Sequence, residues 1–146
     1  MFKEGDITPE FIIKTDAEDF ELNSKNKKLT VVFFFPRANT SGCTKEAVEF
    51  SNLIEKFDNL DTRVIGISKD KIEQQKKFRE KHSLKCELGS DYDGNICEMF
   101  SVWVEKSMYG KKYMGIQRST FLIDQNCKIL KTWPKVKVPN HAAEVL

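Results

Sequence analysis

The segment that most constrains the fold is Leu29–Phe35 (LTVVFFF), an unbroken apolar run rich in β-branched and aromatic residues and closed by Pro36. A strand with no alternation has no solvent face, so it must be covered on both sides. That calls for a sheet with helices on its faces. From Cys43 to about Phe57, the residues Ala47, Phe50, Leu53, Ile54 and Phe57 recur at helical spacing. Val64-Ile65-Gly66-Ile67 reads as a second buried strand. Asp70 is placed to cap a polar helix whose inner face is Ile72 and Phe78, and a short helix covers Ile96 to Val102. Phe11–Ile13 and Phe20–Leu22 read as an N-terminal β-hairpin. Ser119–Ile123 and Lys128–Trp133, joined by Asp124-Gln125-Asn126, read as a closing hairpin. The expected class is α/β, with a mixed central sheet flanked by helices. A thioredoxin-like layout fits this order, although periodicity alone does not choose it over other α/β folds.

No repeat, low-complexity stretch or linker divides the 146 residues, so a single domain over 1–146 is expected. The formal net charge is +2, from 24 basic against 22 acidic residues. So small an excess argues against nucleic acid or an anionic membrane as the main partner. No apolar run approaches the roughly 18 residues of a membrane span. The opening Met1–Asp6 meets acidic charge at once and lacks an apolar signal region, which makes cytoplasmic the expected location.

Four cysteines, Cys43, Cys86, Cys97 and Cys127, form no C-x-x-C pair. The two histidines, His82 and His141, lie far apart and are expected on the surface. A structural zinc site is therefore not expected, and a domain of this size needs no disulfide staples. Scattered thiols of this kind are mostly small buried hydrophobes. Cys43 differs in position: the buried strand delivers the chain to a loop that opens a helix. With Thr40 as N-cap, Cys43 falls in the first turn, where unpaired N–H groups and the positive end of the macrodipole favour a thiolate.

Pro36-x-x-x-Thr40-x-x-Cys43 resembles the signature of the peroxiredoxins, and Asn39–Ala47 (NTSGCTKEA) resembles the bacterioferritin-comigratory-protein (PrxQ) subfamily. The resemblance spans nearly the whole chain. Gly5-Asp6 with Pro9-Glu10-Phe11 is similar to the family's opening motif, and Leu88–Gly94 (LGSDYDG) to its loop before the third helix. Tyr109-Gly110 through Gly115–Asp124 (GIQRSTFLID) is similar to its second active-site strand, and Trp133–Val138 to its C-terminal strand.

This resemblance implies a bacterial, monomeric antioxidant enzyme that reduces hydrogen peroxide and organic hydroperoxides without metal, haem or flavin. Cys43 is then the peroxidatic cysteine, which passes through sulfenic acid. Thr40 sets its hydroxyl on the peroxide and thiolate, Arg118 brings its guanidinium beside the sulfur, and Pro36 shields the site from water. Glu46 either orients Arg118 or merely complements the helix N-terminus. Read without the motif, Arg118 is a strand-end surface charge; Arg37 reads as a solvated loop charge. Lowering a thiol pKa from about 8.5 to about 6 is worth only about 2 kcal/mol in thiolate population. Fast peroxide chemistry must therefore also polarise the O–O bond.

The chain departs from the family in several places. Val48 stands where many relatives carry a resolving cysteine, and the helix expected over Asp70–Lys81 contains none. Cys86 follows that helix, Cys97 begins the next, and Cys127 sits in the final turn. Ser41 replaces a common proline, and relatives usually run past Leu146. A one-cysteine cycle is therefore expected, resolved by an external thiol of thioredoxin, glutaredoxin or glutathione type. A two-cysteine cycle through Cys86, and a non-enzymatic redox sensor or holdase, are the alternatives. A thiol hydrolase is disfavoured, since nothing places a histidine near Cys43.

Overall fold

The computed structural model describes residues 2–17, 19–22, 29–38, 41–136 and 141–145. In chain order the elements are β1 (Ile12–Thr15), β2 (Phe20–Glu21), β3 (Leu29–Phe34), α1 (Ser41–Asn52), α2 (Ile54–Asn59), β4 (Thr62–Ser68), α3 (Ile72–His82), β5 (Glu87–Ser90), α4 (Ile96–Met99), β6 (Trp103–Met108), β7 (Lys111–Ile116), β8 (Ser119–Asp124), β9 (Ile129–Trp133) and α5 (His141–Val145). Seven strands form one mixed sheet in the order β2-β1-β5-β4-β3-β8-β9, and β6 pairs with β7 alone.

The Leu29–Phe35 run lies at the heart of the sheet, with β3 parallel to β4 and antiparallel to β8. Its alternate residues serve two cores. Val31, Phe33 and Phe35 pack with Ala47, Phe50 and Phe57 of the first two helices and with Phe78 of α3. Val32 and Phe34 pack with Ile65, Phe100, Phe121 and Ile123 on the opposite face. Phe50 stacks on Phe33 at 4.4 Å between centroids, which fixes α1 to the sheet. Gly66, opposite Phe33 across the β3–β4 pair, leaves that ring its space: a Cβ there would lie 2.5 Å from the Phe33 Cζ.

Four features depart from the sequence reading. The single helix expected from Cys43 to Phe57 breaks at Leu53. Ser51 and Asn52 are weak helix formers, and the Ser51 hydroxyl is engaged with the Lys85 N–H and the Cys86 thiol. The N-cap of α3 is Lys71, not Asp70. The Asp70 carboxylate instead accepts from the Ala38 N–H at 2.7 Å and the Ser68 hydroxyl at 2.8 Å. The segment read as a loop at Leu88–Gly94 contains β5, which is central, parallel to β4 and antiparallel to β1. This strand of four residues carries no periodic signal, and Gly89 is fitted between Ile13 and Ile65. The β6–β7 hairpin carries polar residues on exposed positions. Its turn places Tyr109 (φ 52°) and Gly110 (φ 77°) both left-handed, the requirement of a type I′ hairpin.

Candidate active site

Cys43 is the third residue of α1 and is 1 % exposed. It is carried to the carboxyl end of β3 by the Phe35–Ala38 segment. That segment is held to the sheet by the Phe35 N–H on the Ile67 carbonyl and by the Ala38 N–H on Asp70. Asp70 is thus a residue that pattern reading misassigned: the available signal was its position two residues after the end of β4, where site-facing loops leave an open sheet. Pro36 is half-buried in the same segment and Arg37 is exposed. Thr40 lies outside the described residues.

Arg118, immediately before β8, donates from Nη2 to the Cys43 Sγ at 3.2 Å and from Nη1 to Glu46 Oε1 at 2.6 Å. The guanidinium also lies against Gly42, where a Cβ would come within 3.3 Å of Nη2. Three of the residues singled out by sequence, Cys43, Glu46 and Arg118, thus meet in one cluster. The first two share a face of α1, one turn apart, and the third arrives from 75 residues away.

Glu46 is 0 % exposed, and its Oε2 has no hydrogen-bond partner. Burial pushes its pKa from 4.5 up to about 7, against the attraction of Arg118. Arg118 is itself held more firmly protonated: burial opposes this, but Glu46 and Cys43 outweigh it. The same ion pair favours the charged form of both partners. It prevails for the guanidinium, which keeps some access to water, and is overcome by desolvation at the deeper carboxyl.

None of the four cysteines forms a disulfide, and all four are buried. Cys86 packs in the same core as Cys43, whereas Cys97 and Cys127 belong to the core on the other side of the sheet. Burial pushes the Cys86 thiol up to about 11, only partly offset by the Ser51 hydroxyl and Arg79. Burial and Asp91 push Cys97 up still further.

His141, expected on the surface, is 3 % exposed. Its Nε2 lies 2.7 Å from the Thr120 hydroxyl, and its ring meets Phe50 and Trp133 edge-on, so it anchors α5 over the sheet. His82 is half-buried, edge-on to Phe78. A cleft of about 470 Å³ opens elsewhere, lined by Ile12, Lys71, Ser90 and Tyr92 among others, and Cys43 does not line it. Among the described residues, no group of three or more His, Cys, Asp or Glu could hold a metal ion. Nor is any helix long and apolar enough to cross a membrane.

The chain is similar to known proteins of one family. Residues 5–132 match the AhpC/TSA family model. Peroxiredoxin Bcp of Bacillus subtilis is 43 % identical over 143 residues, covering 97 % of this chain and 91 % of the relative. The putative peroxiredoxin bcp of Coxiella burnetii is 41 % identical, covering 97 % and 95 %. The solved structure of a cysteine-to-serine mutant of PrxQ from Xylella fastidiosa matches with a TM-score of 0.91 at 32 % identity, over 99 % of this chain and 93 % of that one. The bacterioferritin comigratory protein of Xanthomonas campestris, studied for alkyl peroxide reduction in trapped-intermediate and ligand complexes, matches with a TM-score of 0.85 at 33 % identity, over 92 % and 87 %. The mixed sheet is therefore that of the thioredoxin-like peroxiredoxins, and the chain belongs to the AhpC/TSA family as a thiol-dependent peroxidase of the Bcp/PrxQ kind.

Proposed function

We propose that Cys43 is the peroxidatic residue, reducing hydrogen peroxide and organic hydroperoxides in a one-cysteine cycle closed by an external thiol. The observation that carries the reading is the Arg118 guanidinium, which donates to the Cys43 sulfur at 3.2 Å while Glu46 grips its other nitrogen at 2.6 Å. The thiolate attacks the terminal peroxide oxygen. An S–O bond forms as the O–O bond breaks, sulfur gives up two electrons, and the other oxygen leaves as RO⁻ and takes a proton from water. Arg118 is charged throughout and supplies donors to sulfur and to the oxygens. By its place in the Pro36-x-x-x-Thr40-x-x-Cys43 pattern, Thr40 is proposed to supply a hydroxyl to the reaction, and Pro36 to keep water from the sulfur. The alkyl peroxide activity described for the Xanthomonas campestris relative supports organic hydroperoxides as substrates beside hydrogen peroxide.

The other thiols support external resolution. Cys97 and Cys127 are separated from Cys43 by the sheet, and Cys86 is held as a neutral thiol, a poor nucleophile toward a sulfenic acid. A reducing compartment such as the cytoplasm keeps four thiols out of disulfides and provides the outside thiol. There the chain acts as a single domain and a monomer. The test is mass spectrometry after one equivalent of peroxide, together with thiol-supported turnover of each Cys→Ser variant. Cys43→Ser should abolish turnover, and the wild type should gain one oxygen on Cys43. A fully active Cys43→Ser enzyme overturns the assignment.

A further inference from the structure

The loop that leads to Cys43 is held at Ala38 by a carboxylate. Ala38 lies midway between Pro36 and Thr40, the two residues proposed to flank the reacting sulfur. Its N–H donates to Asp70 Oδ2 at 2.7 Å, across 32 residues of sequence. That oxygen is itself fixed from behind. The Ser68 hydroxyl donates to it at 2.8 Å, and Gln75 Nε2 donates to the Ser68 oxygen at 3.0 Å and to the Gly89 carbonyl at 2.7 Å. The Ser90 hydroxyl donates to the Asp70 backbone carbonyl at 2.7 Å. Ser68 and Gln75 are fully buried. Side chains from β4, α3 and β5 thus converge on one residue, which reaches across to the loop before α1.

A partner for the Ala38 N–H need not be a carboxylate. Both Ala38 and Asp70 line a hollow of about 220 Å³ with Arg37, Gln74 and Lys77, which has room for water. Water would satisfy the donor without fixing its place, whereas an acceptor locked by the buried Ser68–Gln75 pair does both. We propose that Asp70 is a positioning residue for the peroxide reaction, setting the loop from Pro36 to Thr40 so that its donor meets the peroxide at Cys43. This rests on the reading of Cys43 as the peroxidatic residue. Asp70 touches no reacting atom and acts through the Ala38 backbone. Alkylation of Cys43 needs only the thiolate, but peroxide reduction also needs the loop in place. Loss of the tether therefore weighs on peroxide reduction alone.

Three substitutions separate the tether from charge and from general loosening. Asp70→Ala removes the acceptor, Asp70→Asn keeps an acceptor oxygen without the charge, and Ser90→Ala removes a hydrogen bond to the same residue while sparing its side chain. The first readout is the second-order rate of Cys43 with hydrogen peroxide divided by its rate with iodoacetamide. The second is hydrogen exchange over residues 35–43. Circular dichroism checks the fold; if Asp70→Ala does not fold, Asp70→Glu, which displaces the carboxylate by one methylene, takes its place. The expected result is a fall of about tenfold in the rate ratio for Asp70→Ala, mostly recovered in Asp70→Asn and absent in Ser90→Ala. An unchanged ratio in Asp70→Ala overturns the proposal. So do equal losses in the Asn and Ala variants, which mark charge, or an equal loss in Ser90→Ala, which marks loosening of the corner. If the wild-type protein is alkylated but does not consume peroxide, the reading of function fails instead, and hydrogen exchange decides for Asp70. Faster exchange in Asp70→Ala, slowed again in Asp70→Asn, upholds the tether, and unchanged exchange overturns it.

Discussion

Glu46→Gln should stabilise the protein at alkaline pH relative to the wild type while slowing the enzyme. The Glu46 carboxyl is fully buried, with one oxygen 2.6 Å from Arg118 and the other unpartnered. Burial raises its pKa from 4.5 to about 7, outweighing the attraction of Arg118. Between those values the folded protein holds a proton that the unfolded chain has released. The stability this proton confers is complete below pH 4.5 and is lost as pH rises through about 7. At about 1.36 kcal/mol per pH unit, the whole effect is about 3 kcal/mol. Glutamine never ionises, so the stability difference between variant and wild type should move by about 3 kcal/mol toward the variant from pH 4.5 to pH 8. Taking the difference cancels His141 and the other titrating groups, which both proteins share. Urea unfolding at a series of pH values, extrapolated linearly, measures it. A difference flat to within about 0.5 kcal/mol, or one that moves toward the wild type, would mean that Arg118 outweighs burial and would refute the argument. Above pH 7, where Glu46 is ionised, peroxide reduction should meanwhile slow by about tenfold, because a neutral amide grips the guanidinium less firmly than a carboxylate.

Arg118→Met removes the donor on the Cys43 sulfur and should cost peroxide reduction about 2–4 kcal/mol of transition-state stabilisation, with a smaller loss in iodoacetamide alkylation. Equal losses in both rates would argue against a peroxide-specific role. Gly42→Ala should press on the Arg118 guanidinium at 3.3 Å and slow turnover by a few-fold, with folding stability unchanged or raised by up to about 1 kcal/mol in urea melts. Gly66→Ala drives a methyl to 2.5 Å from the Phe33 ring and should lower stability by about 1–3 kcal/mol, read as a lower urea midpoint. Cys86→Ser should leave thiol-supported turnover unchanged. A stoichiometric Cys43–Cys86 disulfide in a peptide map, lost together with turnover in that variant, would establish the two-cysteine cycle instead.

What the sequence discloses is what local pattern controls. Leu29–Phe35 is buried on both faces, so its composition alone announces a central strand. The helical spacing of Ala47, Phe50 and Phe57 likewise announces the face that meets it. The features that escape are set by tertiary partners. Glu87–Ser90 becomes a strand because β1 and β4 flank it, not because Glu-Leu-Gly-Ser favours one. Asp70 turns from a helix cap into a tether for the Ala38 N–H because β3 and β4 end side by side. His141, one polar residue near the end of the chain, is buried because Thr120 offers it a hydroxyl on the sheet.

Arg118 shows the limit most sharply. Its approach to Cys43 depends on which face of β8 it takes, and period-two alternation is the only local signal for that. Phe121-Leu122-Ile123 is apolar without alternation, so no face can be read from it. Pairing decides: Phe34 lies opposite Ser119, Val32 opposite Phe121 and Thr30 opposite Ile123. Phe121 and Ile123 thereby join the core away from α1, while Leu122 packs against the α1 side and Thr120 meets His141. By the same alternation Arg118 falls on the α1 side, with Cys43 and Glu46. A slip of one residue between β3 and β8 would send Phe121 and Ile123 into the α1 core and carry the guanidinium to the opposite face. The geometry of the sulfur site is therefore secured by the packing of two apolar residues, three and five positions beyond the arginine.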